Sequence, residues 1–141
     1  MTRSSVIVDT GILVALIDSR DQYHAWVSEQ LKQITPPMLT CEAVISEAWF
    51  LLARVRNGRT TLTQLLEHQQ IQVQFNLAAE LSSVLKLLKQ YSTVPASLAD
   101  AELVRMAELY ADHQMFTLDS DFQIYRKNRN QMISVISPWR N

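Results

Sequence analysis

One cysteine, two glycines and four prolines are spread over 141 residues, and each scarcity removes a class of function. Cys41 alone builds neither an internal disulfide nor a cysteine-rich zinc site, and such usage suits a reducing cytoplasm. Gly11 and Gly58 are too far apart for a G-x-G-x-x-G dinucleotide turn or a G-x-x-x-x-G-K phosphate loop. No G-x-S-x-G nucleophile elbow and no H-E-x-x-H zinc helix occurs. His24, His68 and His113 stand alone at wide spacing, as surface or helix-end residues do. Long apolar runs are missing as well. The longest, residues 12–17 and 48–53, are six residues each, against the ~20 that a membrane helix needs. No basic segment followed by an apolar run and a small-residue cleavage site opens the chain, so no secretory signal is expected. An excess of one charge is also absent. Thirteen Lys and Arg face fourteen Asp and Glu, which excludes a protein that coats nucleic acid through net charge alone.

Apolar residues make up 48% of the chain, enough for a real core and too many for a disordered segment. Short β-branched or apolar runs at residues 5–8, 38–40, 71–75, 115–118 and 132–136 predict strands. Between them, apolar spacing predicts helices over residues 10–18, 21–34, 41–56, 62–68, 77–91 and 97–112. In the third of these, Val44, Ala48, Leu51, Leu52 and Val55 form the expected core face; in the last, Leu98, Ala101, Val104, Ala107 and Leu109. Trp26, Trp49 and Phe50 are expected in the core. The alternation of strand and helices predicts an α/β fold around a mostly parallel sheet, in one domain over residues 1–141.

With no nucleophile or soft metal ligand in evidence, the chemistry falls to carboxylates. Ligands of an open parallel sheet bind beyond the carboxyl ends of its strands. Asp9 directly follows Val6-Ile7-Val8, and Asp119 follows Phe116-Thr117-Leu118 with Asp121 two residues on. Asp100 lies in the first turn of a helix, and Glu47 lies about a turn and a half into another. Four acids from four separated segments thus reach one edge, where a solvated face would draw them from a single helix. Each also has a local explanation. Asp9 suits a helix N-cap, Ser97-x-x-Asp100 a capping box, Asp119-Ser120-Asp121 an Asx turn, and Glu47 an exposed helix position. Two carboxylates ~4 Å apart repel by about 4 kcal/mol at an effective dielectric near 20. Such a group stays ionised only beside a cation, and all-oxygen donors select Mg²⁺ or Mn²⁺. Metal-assisted hydrolysis of a phosphodiester is the reaction class that follows.

These residues also carry a resemblance. Val6-Ile7-Val8-Asp9-Thr10-Gly11, the helix with Glu47, Leu98-Ala99-Asp100-Ala101 with Leu103-Val104, and Thr117-Leu118-Asp119-Ser120-Asp121-Phe122 stand in the order seen in PIN-domain ribonucleases. The chain resembles most the VapC-type toxins of bacterial toxin–antitoxin modules, from Val6 to about Ile136. The resemblance implies a three-layer α/β/α sandwich and an endoribonuclease using Mg²⁺ or Mn²⁺. It implies Asp9, Glu47, Asp100 and Asp119 as catalytic acids, with Asp9, Asp100 and Asp119 on the metal. Thr10, Thr117 and Asp121 would support them. Glu42 competes with Glu47 for the second acid, although so early a helix position suits a macrodipole role. Gly11 replaces the Asn that more often follows the D-T pair, and the Gly that often follows the helix acid is missing.

The resemblance further implies an RNA substrate, a cognate antitoxin and a homodimer, with no membrane association. Arg54 and Arg56, with Arg59, and Arg126, Lys127 and Arg129 each follow an acid, as RNA-backbone contacts or as solvated helix ends. Two other functions fit the same residues. One is a PIN fold that binds RNA or protein without cleaving. The other is a phosphatase with Asp9 as nucleophile, whose usual second Asp is replaced here by Gly11.

Overall fold

The computed structural model describes residues 3–94 and 96–139. In chain order its elements are β1 (Val6–Val8), α1 (Thr10–Ile17), α2 (His24–Leu31), β2 (Met38–Thr40), α3 (Glu42–Leu51), α4 (Gly58–Glu67), β3 (Ile71–Val73), α5 (Leu77–Gln90), α6 (Leu98–Leu109), β4 (Gln114–Phe116), β5 (Arg126–Lys127), β6 (Gln131–Met132) and β7 (Val135–Ile136). A 3₁₀ turn, Ser120–Gln123, lies between β4 and β5. Five strands form one sheet in the order β3-β2-β1-β4-β7, every neighbouring pair parallel.

The central strand β1 is apolar at every position because both its faces are covered. Val6, Ile7 and Val8 are wholly buried, as are Met115 and Phe116 beside them. Each such side chain contributes about 1.5–3 kcal/mol relative to exposure. Trp26, expected in the core, is half-buried and packs its ring against Phe116 at 5.9 Å from the edge of the core. With helices flanking the sheet, the architecture is the expected α/β/α sandwich. From β1 the chain winds outward through β2 to β3, then returns to the other side of β1 through β4 and β7. The winding therefore reverses between β1 and β4, and the carboxyl ends of these two strands open a crevice.

Several expectations need correction. β3 stops at Val73, since Asn76 accepts a hydrogen bond from the Ala79 N–H and starts α5. β4 ends at Phe116, because the Thr117 hydroxyl accepts from the Asp119 N–H and turns the chain. The single strand expected over 132–136 is two. Gln131–Met132 pairs antiparallel with Arg126–Lys127 in a separate ribbon, and only Val135–Ile136 joins the main sheet. The left-handed Asn128 and Arg129 make the ribbon's turn.

The helices also differ at their ends. α2 is shorter than residues 21–34, as the Asp21 carboxylate accepts from the Tyr23 N–H in a turn ahead of it. α3 ends at Leu51 and α4 begins at Gly58, after left-handed Asn57. A Cβ on Gly58 would lie 2.9 Å from the Val55 Cβ and 3.0 Å from the Leu52 carbonyl oxygen, so glycine permits the tight approach. Trp49 and Phe50 are exposed, not core, and Leu51, Leu98 and Leu109 also fall outside the buried stripes of their helices.

Candidate active site

Strand register brings Asp9 and Thr117 side by side, since Val8 pairs with Phe116 in the preceding position. The Thr117 Oγ1 donates to Asp9 Oδ2 at 2.8 Å, and the Thr10 N–H donates to Asp9 Oδ1 at 2.7 Å. Asp9 therefore caps α1 and faces the crevice at once. Burial pushes its carboxyl up to about 6, and the charges of Asp100 and Asp119 push the same way. The bonds from Thr117 and Thr10 oppose that rise by favouring the ionised form.

Asp100 enters from the first turn of α6. It completes the capping box, accepting from the Ser97 N–H at 3.1 Å while its own N–H donates to the Ser97 hydroxyl at 3.0 Å. The same carboxylate oxygen, Oδ2, accepts from the Tyr125 hydroxyl at 3.0 Å. Asp119 caps the 3₁₀ turn by accepting from the Asp121 N–H at 2.9 Å. Burial raises its carboxyl, with the charges of Asp121 and Asp100 adding to the effect. The local roles foreseen for these three acids are real, and they orient the carboxylates rather than explain them away.

Asp9, Asp100 and Asp119 line one pocket of about 370 Å³ with Thr10, Gly11, Ser97, Ala99, Leu118 and Glu47. Glu47 is exposed on α3 and forms the rim. Glu42 lines a different groove, so of the two rival glutamates Glu47 is the one in the pocket. Asp121 does not line the pocket and acts on it through Asp119. Thr117 sits beneath the pocket, and Thr10 lines it with a buried Oγ1 that has no hydrogen-bond partner among the described residues.

Among the described residues no three His, Cys, Asp or Glu side chains are placed to hold one metal ion together. The expected set of Asp9, Asp100 and Asp119 is thus not preassembled, each being held by its own hydrogen bonds. The donor chemistry nevertheless suits Mg²⁺ or Mn²⁺, since Mg²⁺ uses one or two carboxylates and keeps several waters. A buried carboxyl near pH 6 beside two further acids wants a counter-charge, and the orphaned Thr10 hydroxyl wants a polar partner.

Neither basic cluster lines this pocket. Arg54 and Arg56 border another groove, beside the end of α1. Arg126 folds its guanidinium onto the carbonyls of Gln123, Ile124 and Tyr125, next to Lys127 in the ribbon and Arg129 in its turn. Arg59 lies over the Trp49 ring at 4.7 Å and donates to the Trp49 carbonyl. Cys41 is buried, and burial pushes its thiol up to about 12, which removes it as a nucleophile. The histidines sit at helix ends, as expected: His24 opens α2, His68 caps α4 and His113 follows α6.

Two residues near the acids escaped the sequence. Tyr125 is fully buried behind Asp100, and burial followed by the Asp100 charge raises its phenol. It follows Asp121-Phe122 with no periodic signal to mark it. Glu102 is nearly buried on α6, its carboxyl raised by burial and by Glu42. Its flanks, Ala101 and Leu103-Val104, were the available sign that an acid lies within a core stripe.

The profile of the PIN domain family matches residues 6–128. No curated protein matches the sequence. Among solved structures, the crystal structure of Mycobacterium tuberculosis VapC20, described as a sarcin-ricin loop cleaving toxin, is similar at a TM-score of 0.75 and 20% identity. The match covers 85% of this chain and 94% of that one, and at such identity it carries the fold.

Proposed function

This chain belongs to the PIN-domain family, and on that premise we propose that it is a metal-dependent endoribonuclease, the toxin of a VapBC-type module. The observation that carries the reading is the meeting of Asp9, Glu47, Asp100 and Asp119, from four segments, in one pocket at the sheet's switch point. The similarity in fold to VapC20, described as a sarcin-ricin loop cleaving toxin, supports RNA as substrate. An antitoxin partner and a homodimer in the cytoplasm belong to the same reading. Among the described residues no helix is long and apolar enough to cross a membrane.

Asp9 and Asp100 would hold the Mg²⁺ or Mn²⁺, with Asp119 beside them. When bound, the ion polarises a phosphoryl oxygen and makes water a better nucleophile at neutral pH. The chain's own residues do the rest. Thr117 and the Thr10 N–H keep the Asp9 carboxylate ionised and aimed at the crevice. Tyr125 and Ser97 hold Asp100 in one orientation. Glu47, at the exposed rim, accepts the proton that the attacking water releases. The Thr10 hydroxyl donates to an oxygen entering the pocket, which completes its own hydrogen bonding.

The test is cleavage of RNA by the purified protein with Mn²⁺ and with EDTA. Cleavage in Mn²⁺ that EDTA abolishes and that Asp9→Asn lacks is the expected result. Binding of RNA without cleavage under any divalent metal would make the chain a silent PIN module. Growth arrest on expression of the wild type, and none with Asp9→Asn, is the expectation for the toxin role.

A further inference from the structure

α1 and α3 lie against each other, and a site opens at each end of α1. At one end Asp9, Thr10 and Gly11 meet Glu47 in the acidic pocket. At the other, Ile17, Asp18, Ser19 and Arg20 meet Arg54, Val55 and Arg56 around a groove of about 380 Å³. α1 has eight residues, so at 1.5 Å per residue the two sites are about 12 Å apart. Three arginines and one acid, Asp18, surround the groove. The Asp18 carboxylate is engaged by the Arg20 backbone N–H at 3.0 Å. Arg20, Arg54 and Arg56 are exposed, and none makes an ion pair with a described residue.

Three guanidiniums without an ion pair, gathered around one groove by two loops, offer an anion several charged donors at once. Helix-end neutralisation explains one cation beyond each helix and leaves a third unexplained. Between the two sites, Phe50 is 74% exposed on the outer surface of α3. It follows Glu47 by three residues and precedes Arg54 by four, so the three lie along one side of the helix and its following turn. An aromatic between an acidic pocket and a cationic groove suits a base whose backbone phosphates flank it.

We propose that the groove of Arg20, Arg54 and Arg56 binds the phosphate backbone of the single-stranded RNA whose scissile bond lies in the acidic pocket, with Phe50 stacking on an intervening base. This rests on the ribonuclease reading for the identity of the strand. It assigns Arg20, which the sequence did not single out, and separates the two basic clusters. Arg126 Nη1 donates to three carbonyls, whereas Arg20, Arg54 and Arg56 share one groove beside α1, which favours that groove over the β5–β6 ribbon for the strand.

Equilibrium binding of a fluorescent single-stranded RNA oligonucleotide, measured by anisotropy in EDTA over a range of KCl, tests this. Arg20→Gln/Arg54→Gln/Arg56→Gln should bind at least ~10-fold more weakly, with the slope of log K against log salt reduced by about 2, near 0.7 per lost contact. Each single variant should reduce the slope by about 0.7, which keeps the test open if the triple variant fails to fold. Arg126→Gln/Arg129→Gln should leave both quantities unchanged. Phe50→Ala should weaken binding roughly tenfold with the salt slope unchanged, as stacking is uncharged. Wild-type slope and affinity in the arginine variants, equal losses in the Arg126/Arg129 control, or no RNA binding by the wild type would overturn the proposal. An unaltered Phe50→Ala would overturn the stacking part of the proposal. Cleavage in Mn²⁺ separates this from the broader reading. A wild type that binds through the groove and cleaves nothing defeats the nuclease alone; arginine variants that bind and cleave like the wild type defeat the groove alone.

Discussion

The Thr117 hydroxyl joins two acids that stand far apart in the chain, donating to Asp9 at 2.8 Å while accepting from the Asp119 N–H at 2.9 Å. It is completely buried, and it fixes the spacing between the ends of β1 and β4. Thr117→Val keeps the shape and deletes both bonds. Stability should fall by about 1.5–3 kcal/mol, the scale of a hydrogen bond to a charged group. The acid limb of the pH–activity profile should move to higher pH, whereas Thr117→Ser should restore it. Urea denaturation and cleavage rates across pH 5–8 are the measurements.

Asp9→Asn and Asp100→Asn both remove an acid from the pocket, and both should abolish cleavage. Their stabilities should differ. Asp9 is buried beside two other acids, so Asp9→Asn should leave the metal-free protein as stable as the wild type at pH 7 or more so. Asp100 serves Ser97 and Tyr125, so Asp100→Asn should cost about 1 kcal/mol. Paired denaturation curves in EDTA distinguish the two.

The raised carboxyl of Asp9 sets a pH dependence of folding. Its value moves from 3.8 to about 6 in the folded chain, so the folded state holds the proton more tightly than the unfolded state. The resulting stability is fully present below about pH 4 and is lost as pH rises through 6, by about 3 kcal/mol in all. Asp119 shifts in the same direction. In EDTA, this part of the stability should fall between pH 4 and 6.5 in the wild type, and Asp9→Asn should flatten the fall.

Metal should reverse that loss, because a divalent ion competes with the proton for the same oxygens. Adding Mn²⁺ at pH 7 should raise the melting temperature of the wild type and leave that of Asp9→Asn unchanged. Raising the Mn²⁺ concentration should also move the acid limb of activity to lower pH.

Tyr125→Phe removes only the hydroxyl that orients Asp100. Stability should fall by about 1 kcal/mol. Activity should drop without a change in RNA affinity, since Tyr125 is buried and out of reach of substrate. Kinetic constants alongside anisotropy would show the split.

Much of this was legible in the chain. Val6-Ile7-Val8 followed by Asp9 announced a buried strand ending in an acid, because a parallel strand must be apolar on both faces and its polar successor falls at the edge. Ser97-x-x-Asp100 announced a helix start for the same kind of local reason. Element ends were harder to see, since they depend on partners far away. The split of residues 131–136 depends on which strand each half meets, and Trp49 and Phe50 carry no mark of lying on α3's exposed face. Tyr125 was invisible for the same reason. Its role is a contact with Asp100, 25 residues earlier.

The scarcity of glycine, cysteine and paired histidine by itself directed the reading to oxygen donors, because the alternatives need residues the chain lacks. Only the tertiary structure decided which acids share a pocket, that Glu47 and not Glu42 is among them, and that Arg20 joins Arg54 and Arg56. The physical reason is range. Caps, turns and strand edges are set by neighbours within a few residues, whereas the field at Asp9 is set by burial and by charges some ninety and more positions along the chain.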